Sequence, residues 1–120
     1  MYHALIRTHH ITSRKKIASL KAAAKQLQCS ALLRTGGIPG VMYVQGEDSE
    51  STQHWVDLVH NLRYKDYQLS APVMATKANE VWISDRGSLE EVTTVKEMAA
   101  RMEGAGLHEW WRKAMGFSKE

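Results

Sequence analysis

Two apolar runs are separated by a segment that fits neither a helix nor a strand. Ala31 to Arg34 and Val41 to Gln45 have strand composition, and Gly36-Gly37-Ile38-Pro39-Gly40 between them supplies backbone conformations that most residues avoid. Five residues is an ordinary hairpin length, so the runs are predicted to be joined by a turn as neighbouring strands. Val41-Met42-Tyr43-Val44 is apolar at consecutive positions. Such a strand needs cover on both faces and belongs in the middle of a sheet.

The flanking sequence supplies the other elements. Tyr2 to Thr8 reads as a strand, and a hydroxyl at Thr12-Ser13 can cap a following helix in which Ile17, Leu20, Ala24 and Leu27 recur at helical spacing. After Gly46, the run Glu47-Asp48-Ser49-Glu50-Ser51-Thr52 places carboxylates at the positive end of a second helix, whose buried side is Trp55, Leu58, Val59 and Leu62. Tyr67 to Ala75 alternates Tyr67, Leu69, Ala71 and Val73, with Pro72 arguing for an edge or a bulge. Glu80 to Ser84 is predicted as a further short strand and Asp85-Arg86-Gly87-Ser88 as a loop. Thr94-Val95-Lys96-Glu97 has capping-box spacing before a helix carrying Val95, Met98 and Met102, and Leu107 to Met115 forms a last helix stopped by Gly116. The expected architecture is α+β, a ferredoxin-like split βαβ unit. Its antiparallel sheet has four strands with two helices on one face, and a C-terminal helical extension spans about 94–116. Residues 1–120 are read as one domain. The second sheet face needs solvent, a ligand or a cover. Trp110 and Trp111 are the candidates for covering it; if the extension packs elsewhere, His3, Leu5, Arg7 and Arg34 stand open.

Charge divides the chain in two. Arg7, Arg14, Lys15, Lys16, Lys21, Lys25 and Arg34 face no acidic residue before Glu47, so a segment of +7 precedes one of −4. On the first helix Arg14, Lys21 and Lys25 fall within about 40° of one another, a stripe that attracts polyanions or simply solvates one helix face. Hydrophobic content of 43% and charged content of 24% exclude disorder and collagen-like architecture. No apolar run is long enough to span a membrane and the amino terminus lacks a signal-peptide core, so the chain is expected to be soluble without a membrane partner. The single cysteine, Cys29, cannot form an internal disulfide and fits a reducing compartment, nucleus or cytoplasm.

Several segments resemble the pre-mRNA-processing factor 3 C-terminal domain family. Gly37-Ile38-Pro39-Gly40-Val41-Met42-Tyr43-Val44-Gln45-Gly46 resembles its G-K-P-G-x-x-x-V-E-G segment, and His10-Ile11-Thr12-Ser13-Arg14-Lys15 its H-x-Y-S-K-x lead-in. Leu62-Arg63-Tyr64-Lys65 is similar to its L-x-W-K and Gly104-Ala105-Gly106-Leu107-His108-Glu109-Trp110-Trp111 to its terminal G-x-x-H-Y-W run. The chain departs from these patterns at Ile38, Gln45 and Tyr64. The family includes a spliceosomal small nuclear ribonucleoprotein component and the C-terminal halves of some RWD-domain proteins. The resemblance implies a ferredoxin-like fold and binding of small nuclear RNA at a duplex with a single-stranded extension. The chain is then a standalone small protein or one excised domain.

If RNA is the ligand, Arg7, Arg14, Lys15, Lys21, Lys25 and Arg34 are the candidate phosphate contacts, with Lys65 and Lys77 extending the track. Tyr43, Tyr64 or Trp82 would stack on unpaired bases unless they are core. A protein-interaction domain would instead use Trp110, Trp111 and Met115 as an apolar anchor. No phosphate loop, zincin helix or nucleophile elbow is present, and no catalytic residue, cofactor or metal is predicted. His9-His10 would point to opposite sides of a strand, and Cys29 with a distant histidine is an unsupported nucleophile.

Overall fold

A computed structural model describes residues 1–76 and 81–117. Its elements are β1 (Tyr2–Thr8), α1 (Arg14–Leu27), β2 (Ser30–Arg34), β3 (Gly40–Gly46), α2 (Ser49–Asn61), β4 (Gln68–Ala75), β5 (Leu89–Val92), α3 (Val95–Gly104) and α4 (His108–Met115). The sheet order is β4-β1-β3-β2-β5. The first four strands are antiparallel in the order of a split βαβ unit, as expected, and β5 adds a fifth strand parallel to β2.

That fifth strand corrects the sequence reading. The strand expected over 80–84 is not formed in its described part, Val81 to Ser84. This stretch is tied to the sheet by a side chain: Gln45 Nε2 donates to the Val81 carbonyl at 3.1 Å and Gln45 Oε1 accepts from Ile83 N at 2.7 Å. The ladder is made instead by Leu89-Glu90-Glu91-Val92, which follows the predicted loop and has only Leu89 buried. The sheet is therefore mixed and five-stranded.

Local chemistry fixes most element ends. Ser13 Oγ accepts from Lys16 N at 3.2 Å to open α1, and Asp48 accepts from Ser51 N at 2.7 Å to open α2. Thr94 and Glu97 form the predicted capping box, and Gly116 at φ 82° ends α4. In the hairpin loop, a side chain at Gly36 would run into the carbonyl of Thr93, so the close approach of that turn to the β5–α3 connection demands glycine. β4 lies at the sheet edge, and its register against β1 shifts between His3 and Leu5, where Pro72 and Val73 oppose Ala4 alone.

Each sheet face buries its own core. Ala4, Ile6, Leu33, Met42 and Val44 pack under α1 and α2, where Trp55 is fully buried and its Nε1 donates to the Leu20 carbonyl at 3.1 Å, linking the helices. Leu5, Leu32, Val41 and Tyr43 on the reverse face lie under Met98, Met102, Trp111 and Met115 of α3 and α4. The C-terminal extension is thus the second cover. His3 is enclosed in it, 1% exposed, with Nδ1 hydrogen-bonded to the Tyr43 hydroxyl at 2.8 Å and its ring stacked on Trp110 at 3.9 Å.

Truncating Trp111 to alanine should destabilise the protein by about 3–5 kcal/mol in urea unfolding. A loss below about 1 kcal/mol would mean that α4 is not part of the core. His3 gives a second test. Burial lowers its pKa from 6.5 to about 4, so folded and unfolded states bind protons alike near neutrality. As pH falls through 6.5 the unfolded chain protonates first, and stability should drop by roughly 3 kcal/mol by pH 4. Comparison with His3→Gln isolates this component, which should vanish in the variant.

Candidate nucleic-acid interface

The cations of the amino-terminal segment go to three places. Arg7 and Arg34 sit in register either side of Val41, on the α3/α4 face. Arg7 Nη1 donates to the Met115 carbonyl at 3.1 Å, whereas Arg34 donates to the carbonyls of Thr93 at 2.9 Å and Pro39 at 2.9 Å. Both guanidinium groups hold chain segments against the sheet, so these two predicted phosphate contacts are structural ties on the side opposite α1.

Arg14, Lys15, Lys21 and Lys25 are exposed on α1. Arg14 and Lys21 lie on the flank that faces β5, and Arg14 makes a two-pronged bond to Glu91 at 2.7 and 3.0 Å. That bond, the largest cause, and the nearby charges of Arg14 and Lys21 hold the Glu91 carboxyl below its usual range. Lys25 continues the row one turn beyond Lys21. Lys15 stands on the crest of the helix among Ala18, Ser19 and Ala22, all exposed and all short. A ligand backbone can approach this helix closely and still be reached by flexible ammonium groups from either side. Lys15, Lys21 and Lys25 make no ion pair among the described residues.

A third group gathers on the flank of α1 nearest α2. The turn after α2 holds Arg63 and Asp66 in left-handed conformations, at φ 60° and 57°, on either side of Tyr64-Lys65. It is pinned to the end of β1 by His9 N donating to the Lys65 carbonyl at 2.9 Å and by a 3.2 Å contact of His9 Nδ1 with Asp66. Lys16 reaches across with Nζ 4.8 Å above the Tyr64 ring. A hollow of about 190 Å³ lies here, bounded by His10, Thr12, Ser13, Lys16, Tyr64 and Lys65. Lys16, absent from the predicted contacts, falls on the opposite flank from the Arg14–Lys21–Lys25 row. Its position two residues from Arg14, about 200° around the helix, was the available signal.

The predicted aromatic platforms are mostly closed. Tyr43 is fully buried and cannot stack on a base, a correction that follows from the α3/α4 cover. Tyr64 is 8% exposed and presents its face to Lys16, while Trp82 is half-buried with the Arg86 guanidinium 5.5 Å from its ring centre. Trp111 and Met115, predicted as a partner anchor, are core at 1% and 2% exposure, and only Trp110 of that trio reaches the surface, half-buried. Trp110 borders an apolar hollow of about 410 Å³ with Met74 and Leu107, rimmed by Glu109 and Lys113. Lys77 lies outside the described residues.

Cys29 and the His9–His10 pair are the reactive groups that the sequence singled out. Burial pushes the Cys29 thiol up to about 11, which leaves little thiolate at neutral pH. His9 and His10 lie beyond β1 with rings 4.5 Å apart and edge-to-face, so they are neighbours rather than opposed as predicted. No set of three metal-ligating side chains forms around them among the described residues. Nor is any helix of the described residues long and apolar enough to cross a membrane. Comparison of the chain with models of known protein families and with curated proteins finds no match.

Proposed function

We propose that this domain is a non-catalytic RNA-binding module that grips phosphates along the solvent face of α1. One observation carries the reading: α1 bears five cations and no acid, and its exposed crest of Ala18, Ser19 and Ala22 leaves room for a nucleic-acid backbone between them. Among the described residues Glu91 is the acid ion-paired with α1, and Arg14 is the α1 cation it bonds. The resemblance to the pre-mRNA-processing factor 3 C-terminal domain family supports RNA as the polyanion, with a duplex bearing a single-stranded extension as the first substrate to try. The sheet itself is unavailable, because both faces are core. Recognition on this reading is of backbone shape and charge, with bases contributing little.

A second reading rests on the apolar hollow beside Trp110, Met74 and Leu107, which would accept one apolar side chain of a protein partner. The two differ in their dependence on salt.

Anisotropy titrations against junction, duplex and single-stranded RNA should show affinity falling with salt at a log–log slope of about −3, as expected for three or four phosphate contacts. Lys21→Glu with Lys25→Glu should weaken binding about tenfold or more while leaving the unfolding midpoint nearly unchanged. Affinity indifferent to both salt and the double reversal would remove α1 from the interface.

A further inference from the structure

His3 is the most deeply buried residue in the lining of the apolar hollow beside Trp110, and a chain of hydrogen bonds fixes which of its nitrogens carries the proton. The chain begins at Gln45, whose amide has one orientation: Oε1 accepts from Ile83 N and Nε2 donates to the Val81 carbonyl. The second proton on Nε2 goes to the Tyr43 hydroxyl. That hydroxyl has its own proton to give, and His3 Nδ1 lies 2.8 Å away. Nδ1 is therefore the acceptor, and the proton of the neutral ring sits on Nε2. Burial lowers the pKa of His3 to about 4, so the ring keeps this neutral form near neutrality. Nε2 bonds nothing among the described residues. Unlike Tyr64 Oη, Ser70 Oγ and Trp111 Nε1, which are also unbonded, it is not sealed from solvent, and the hollow is the space that His3 lines.

We infer that this hollow binds a small neutral molecule, an aromatic or alicyclic carbonyl compound whose oxygen accepts from His3 Nε2 while its ring lies against Trp110, Met74 and Leu107. The volume of about 410 Å³ falls in the roughly 300–1,000 Å³ range of small-molecule pockets, and an apolar lining with one oriented polar group is their usual composition. Met74 stands beside His3 in the β1–β4 register and Trp110 stacks on its ring, so apolar surface surrounds the donor. At the mouth Glu109 and Lys113 supply one charge of each sign, which gives an ion of neither sign a net attraction. A hydrocarbon would cover the Nε2 proton and leave it without an acceptor, whereas a carbonyl satisfies it, so the site discriminates on the oxygen. For the same reason a carbonyl compound suits the hollow better than the apolar side chain of a protein partner, which carries no acceptor. The hollow lies on the α3/α4 side of the sheet, and its assignment is independent of the α1 interface.

Acetophenone and ethylbenzene, alike in shape and differing in the carbonyl, test this by titration followed in the Trp110 indole resonances. Acetophenone should bind the wild type about tenfold tighter, the difference made by one satisfied hydrogen bond. His3→Phe keeps a ring on Trp110 and removes the donor, so the two ligands should then bind alike. Met74→Trp, at an exposed position on the wall, narrows the hollow and should weaken both. Because His3→Phe alters the core, the wild type carries its own check: a long-range proton–nitrogen spectrum of the imidazole should show Nε2 protonated and Nδ1 bare, and acetophenone should move the Nε2 resonance where ethylbenzene does not. Failure of both ligands to bind, equal affinity for the two in the wild type, or a proton on Nδ1 overturns the inference. So does a preference for acetophenone that survives His3→Phe, or binding undiminished by Met74→Trp. None of these outcomes alters what the RNA titrations read.

Discussion

Trp111 packed into the reverse face of the sheet, with Met98, Met102 and Met115 around it, is the contact on which the rest of the molecule depends. A split βαβ unit covers one sheet face with its two helices and leaves the other bare, and here Leu5, Leu32, Val41 and Tyr43 make that second face apolar. α3 and α4 close it. The closure also removes His3 from water, stacks it on Trp110 and holds it neutral well below the usual histidine range. With both faces buried, a ligand is left with helix surfaces, strand edges and turns.

The same closure sorts the cations. Arg7 and Arg34 project on the covered face and bond carbonyls at Met115, Thr93 and Pro39, which stitch the C-terminal helices and the hairpin loop to the sheet end. The α1 cations project on the other side. The +7 segment is therefore two structural arginines and a helix, and the electrostatic argument for a polyanion belongs to the helix with its Lys65 corner.

How much could be read in the sequence follows from how local each cause is. Ser13, Asp48 and the Thr94–Glu97 pair act within one turn, and the glycines of the hairpin act within five residues, so those features were legible. The antiparallel core followed from apolar patterning, and the bulged edge from the ladder donor that Pro72 lacks. β5 did not, because Leu89-Glu90-Glu91-Val92 is a strand by virtue of its parallel partner β2, and two glutamates hide that role. Val81 to Ser84 had strand composition but is held by the Gln45 amide, a side-chain bond that no periodicity announces. Trp111 was legible as cover for the second sheet face, yet its apolar stripe with Met115 read equally as a partner anchor, and Tyr43 equally as platform or core. The Tyr64 hollow was illegible for a related reason: β1, α1 and the turn after α2 meet there, and only the fold brings Lys16 to Lys65.

Residue-resolved amide shift mapping, with RNA added to labelled protein at low salt, tests the central claim most directly. Perturbations should concentrate on residues 13–26 and on Tyr64 and Lys65, with the strands and α4 unmoved. Perturbations centred instead on β1, β3 and α4, as displacement of the Trp111 cover would produce, would contradict the account.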